Sequence, residues 1–82
     1  MAAHQVPHDD WVDLVVVNGG GTFQLQNQGA AAIYLIENVV VKPTGNAGGY
    51  RLPGQANLSI NTVAQLWARS GDIKPSPVYL SN

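Results

Sequence analysis

Turn-forming residues punctuate this chain so closely that only short extended segments fit between them. Asn18-Gly19-Gly20-Gly21, Asn27-Gln28-Gly29, Pro43 to Gly49, Pro53-Gly54 and Ser70-Gly71-Asp72 supply positive φ, a fixed φ or local hydrogen bonding. Between them lie β-branched or alternating stretches. Residues 11–17, Trp-Val-Asp-Leu-Val-Val-Val, read as a strand from their β-branched content. Thr22 to Gln26 alternates, which turns Phe23 and Leu25 toward a core. Ala31 to Glu37 places Ile33 and Leu35 on one face, and Tyr34 and Ile36 on the other. Apolar character on both faces fits a central strand or a subunit contact. Val39 to Val41 continues extended up to Lys42-Pro43.

The second half follows the same rule. Tyr50 to Leu52 is a short strand, and Asn57 to Asn61 turns Leu58 and Ile60 inward. Residues 64–69 fit a helical or an extended pattern, and their shortness favours a strand. Residues 77–80 read as an edge strand beginning at a proline. Two turns carry specific expectations: positive φ at Asn27 and Gly29, and Pro53-Gly54 at the central positions of a type II turn. About seven or eight short strands at this spacing predict an all-β fold, a small antiparallel β-sandwich or a jelly-roll-like barrel. Residues 1–10 are expected to form an extended N-terminal arm, with Pro7 holding Val6 extended. Residues 11–82 then form a single β domain.

A chain of 82 residues buries only roughly 60–65% of its unfolded surface. It has no cysteine, so neither a disulfide nor a thiolate metal site can supplement the core. Charged residues make up 11% of the chain and the net charge is −1, against about 25% charged residues in an ordinary soluble domain. The cations Lys42, Arg51, Arg69 and Lys74 are scattered, which argues against nucleic acid and against a polybasic membrane contact. No apolar run approaches the ~20 residues of a membrane span, and no signal peptide is visible, so synthesis in a cytoplasm is expected. A surface this poor in charge is weakly protected against association, and is read as one partly covered in its working state.

Chemistry is sparse. His4 and His8 lie four apart beside Asp9 and Asp10, a spacing that would suit a metal only on a helix, which Pro7 discourages. Asn18 to Thr22 resembles part of a phosphate loop but lacks its Gly-Lys-Ser/Thr ending and following helix. Both histidines lie in the first ten residues and no serine precedes Ser59, so no Ser-His-Asp set suggests itself. The carboxylates Asp9, Asp10, Asp13, Glu37 and Asp72 form no evident acid–base pair. The Asn57-Leu58-Ser59 glycosylation pattern is incidental without a secretory signal. The expectation is a non-enzyme with no cofactor and no metal. The aromatics Trp11, Trp67, Tyr34, Tyr50 and Tyr79 fit core or interface anchors, or a sugar-stacking face. Arg69 follows Trp67 by two, so both are expected on one strand face, where Arg69 stacked on Trp67, or paired with Glu37 or Asp72, would make a buried-rim contact at an interface.

Several segments together resemble the small all-β virion proteins of tailed bacteriophages, in particular capsid decoration (cement) proteins. They are Trp11 to Leu14, Phe23 to Gly29, Tyr34 to Glu37, Pro53-Gly54 and Leu66 to Gly71. The resemblance implies a structural protein on the outer capsid surface, a major capsid protein as partner, and a homotrimer at three-fold positions. It also implies an arm that grips neighbouring subunits, carried here by Val6 and Pro7. With Trp11, Tyr34, Trp67, Arg69 and Tyr79 these are the expected contact residues. A tail, collar or baseplate component of the same virion class is the alternative. A carbohydrate-binding module stacking on Trp11 or Trp67 is a further one.

Overall fold

The structure, a computed structural model, describes residues 2–44 and 49–81. It is a β-sandwich, as the alternation predicts. Sheet A holds β1 (Ala2–Val6), β8 (Ser76–Ser81), β3 (Phe23–Asn27) and β6 (Asn57–Ile60), in that order. Sheet B holds β2 (Val12–Asp13), β7 (Leu66–Ser70), β4 (Ile33–Glu37) and β5 (Tyr50–Leu52). All pairings are antiparallel. The two sheets remain open and do not close into a barrel. A single core fills the space between them: Val6, Phe23, Leu25, Val78 and Leu80 from one side meet Ile33, Leu35, Leu66 and Ala68 from the other. Period-two alternation puts each of these inside.

Four readings of the extended segments need correction. The run expected as a strand over 11–17 yields only β2, followed by a short helix, α1 (Leu14–Asn18). Three valines disfavour helix by propensity, but both ends are capped. The Asp13 carboxylate accepts from Val15 N at 3.0 Å, and Gly19, at φ 82°, donates its N–H to Val15 O at 2.9 Å. Asp13 also accepts from Leu66 N at 3.1 Å, so the cap is tied to β7. Capping at both termini satisfies backbone groups that a helix this short would otherwise leave unpaired.

The expected extension over Val39–Val41 also fails. Asn38 takes φ 57°, its N–H bonds Gln65 O, and its side chain accepts from Ala64 N at 2.9 Å. This leads the chain off the sheet and leaves Val40 and Val41 80% and 75% exposed. Residues 77–80 belong to β8, which is interior between β1 and β3 and not an edge. Pro77 is tolerated because the β3 ladder begins only at Val78.

The fourth correction concerns residues 1–10, expected as an extended N-terminal arm outside the 11–82 domain. Residues 2–6 are extended, but they pair along β8 from Ala2↔Leu80 to Val6↔Ser76, and Val6 is wholly buried. Pro7 O accepts from Ser70 N at 2.8 Å, which links this segment to sheet B.

The turns differ in mechanism as well. Neither Asn27 nor Gly29 has positive φ. Asn27 instead lies buried at the end of β3, where its Nδ2 donates to the carbonyls of Ala31, Leu52 and Pro53 at 2.9, 3.2 and 3.1 Å. Its Oδ1 accepts from Gly29 N and Ser76 Oγ. One amide of sheet A thus holds the end of β5 in sheet B. The next turn is displaced by one residue: Ala56 N bonds Pro53 O, and Gln55 carries the positive φ of 65°. Gly54 is needed for clearance, since a Cβ there would lie 2.3 Å from Ala30 O. Gln55 is held by its side chain, which donates to Gln28 O and Gly29 O. Of the long loop expected over 43–49, residues 45–48 lie outside the described residues.

Candidate functional site

Three of the expected contact residues converge on the outer face of sheet B. In the ladder Tyr34 stands directly opposite Arg69 on one side and Arg51 on the other. One step along, Ile36 stands opposite Trp67. Neighbouring strands lie ~4.8 Å apart, so the two arginines flank Tyr34 at roughly 10 Å from each other. Sequence alternation alone sends Tyr34, Ile36, Trp67 and Arg69 outward. The strand register then gathers them.

Local geometry sets the character of this face. Trp67 is half-buried, and its Nε1 donates to Val39 O at 2.7 Å. That bond holds the indole against the segment carrying the exposed Val40 and Val41. Glu37, at the end of β4, accepts from Tyr50 OH at 3.0 Å. Burial, with Glu37 beside it, pushes the Tyr50 hydroxyl up to about 12. Lys42 and Asp10 form a surface ion pair at 2.7 Å. The hydrogen bond from Lys42, with one from the Trp11 N–H, holds the Asp10 carboxyl below its ordinary value.

The pairing expected for Arg69 does not form. Glu37 is engaged by Tyr50, and Asp72 accepts from Ile73 N. Among the described residues the one ion pair is Lys42–Asp10, so Arg51 and Arg69 present uncompensated guanidinium groups. An aromatic and aliphatic surface flanked by two free arginines has the composition of a protein-contact hot spot, with side chains suited to carboxylate recognition.

The remaining expected residues lie elsewhere. Val6 and Trp11 are buried within the domain, Trp11 at 3% exposure, so neither reaches a neighbouring subunit and Trp11 offers no stacking platform. Pro7 is half-buried where the chain passes from one sheet to the other. Tyr79 projects from the outer face of sheet A, on the opposite side of the molecule. Sequence reasoning missed Arg51, because nothing local shows that β5 pairs with β4 in this register. It also missed the exposed valines, whose β-branching suggested a strand.

Among the described residues no group of three or more His, Cys, Asp or Glu could hold a metal ion. No helix there is long and apolar enough to cross a membrane. A scan against protein-family models, a search of curated proteins and a search of solved structures find no match to this chain.

Proposed function

We propose that this chain is a structural subunit that binds other protein subunits through the outer face of sheet B, and that it works as a decoration protein on the capsid of a tailed phage. The observation that carries the binding role is the row Arg51–Tyr34–Arg69 beside Ile36 and Trp67, continued by exposed Val40 and Val41. The sequence resemblance supports the station on the virion. A cyclic trimer on the shell would repeat one contact around its axis.

The physical mechanism is linkage. A ligand that binds only the assembled lattice stabilises it by mass action. A trimer engaging several capsid subunits adds avidity, because each contact after the first forms at high effective concentration. Two unpaired arginines favour an acidic partner surface, and desolvation around Trp67 and Ile36 would strengthen those pairs.

Light scattering and co-sedimentation with expanded capsids of the cognate phage test this reading. Self-association at low micromolar concentration and saturable capsid binding, weakened by Arg69→Glu and Trp67→Ala, are expected. A strictly monomeric protein with no affinity for capsids would overturn it.

A further inference from the structure

The outer face of sheet A is chemically unlike that of sheet B. No strand of sheet A contains Asp, Glu, Lys or Arg. In the ladder, Tyr79, Gln26 and Asn57 form one outward row, and Ser81, Gln24 and Ser59 form the next. A shallow cavity of about 270 Å³ lies over them, lined by Gln24, Gln26, Asn57, Tyr79 and Ser81, with Leu25, whose side chain is buried in the core, beneath.

The amides here are oriented. Gln24 Oε1 accepts from Ser59 Oγ at 3.0 Å, and Gln26 Oε1 accepts from Gln28 Nε2 at 3.2 Å. With both carbonyl ends engaged, the two NH₂ groups remain as donors. Beside them the phenol of Tyr79 supplies a flat ring and a hydroxyl. A charged ligand would lose hydration here without gaining an ion pair. A lipid or an apolar peptide would strip water from the amides without replacing their hydrogen bonds. Nucleic acid would find no cation for its phosphates. A ligand that is neutral, rich in hydroxyls and has one apolar C–H face matches every feature.

We propose that the outer face of sheet A is a binding site for a neutral oligosaccharide, with the sugar ring on Tyr79 and its hydroxyls on Gln24, Gln26 and Asn57. This site stands independently of the subunit contact on sheet B.

The test is an ¹⁵N NMR titration of the intact chain with maltotriose, cellotriose, mannotriose and triacetylchitotriose, each to about 10 mM, alongside a neutral glycan array. 3′-Sialyllactose serves as the charged control. The expected result is saturable binding of at least one neutral glycan, with shifts centred on Gln24, Gln26, Asn57 and Tyr79. Tyr79→Ala weakens that binding about tenfold, while Tyr79→Phe keeps most of it and Trp67→Ala changes nothing. Retained spectral dispersion shows that each variant folds. Asn57→Ala, on an exposed edge strand, provides a second variant with the same expected direction. Absence of binding by all neutral glycans would overturn the proposal, as would shifts confined to Tyr34 and Trp67. So would shifts that follow protein concentration alone, which would make this face a self-contact.

Discussion

The two sheets share one core and one alternation rule, yet their outward faces differ in charge: apart from an outward tyrosine on each, one carries ionised side chains and the other amides. The outer face of sheet B carries Asp13, Arg51 and Arg69 together with Tyr34, Ile36 and Trp67. Sheet A carries amides, serines and one tyrosine, with Ala3 and Pro77 beside them. The inward positions are interchangeable in kind, mostly Leu, Ile and Val, because packing asks only for volume and apolarity. The outward positions are free of that demand, so their divergence points to different encounters. In a sandwich this small, the half of each strand that the core does not use is left free to carry the recognition proposed above.

The largest effect should come from cutting the link between the sheets. Asn27→Ala removes a buried amide that bonds three carbonyls and receives two donors. It should cost about 3 kcal/mol in urea unfolding, since the freed groups stay buried and unpaired. Both faces should weaken together. A loss confined to one face would show that the sheets are less coupled than the core implies. Next, Trp67→Ala should reduce binding to the partner proposed for sheet B by about 2 kcal/mol, roughly thirtyfold, with little change in stability. Tyr79→Ala should leave that binding unaltered. Equal losses from both variants, measured by co-sedimentation, would erase the functional distinction between faces.

Asp13→Ala should cost about 1–2 kcal/mol through the lost cap of α1 and the freed Leu66 N–H. The damage should concentrate in sheet B, read as faster amide exchange in residues 66–70 than in residues 76–81. The smallest effect concerns pH. Tyr50 is raised to about 12, so the folded state holds its proton more tightly than the unfolded chain. That contribution is fully present below the unfolded value of ~10, and is lost as pH rises through about 12. Because Tyr50 is partly exposed, the change should stay below about 1 kcal/mol. Tyr50→Phe should flatten it in alkaline unfolding curves.

How much of this was legible beforehand follows from the range of each signal. Phe23, Leu25, Ile33, Leu35 and Ile60 are buried as their alternation requires, because side-chain period depends only on a residue's own strand. The outward set Tyr34, Trp67 and Arg69 was readable for the same reason. That the three meet on one surface depends on the register of β4 with β7, which no local pattern encodes. The helix at 14–18 was misread because β-branching speaks for strands, while its caps lie at Asp13 and Gly19, outside the valine run. Asn27 was read as a turn former. Its role depends on carbonyls at Leu52 and Pro53, some 25 positions away, and no local signal reaches that far.

The pairing of β1 with β8 has a consequence for folding. Ala2 lies opposite Leu80, so two strands far apart in the sequence share one ladder. Without β8, β3 lacks one neighbour and β1 has no ladder to join. Contacts of such long sequence separation are slow to form, because the loop between them must close before they can reward it. Loosening this one seam would release β1 and uncover Val6 together.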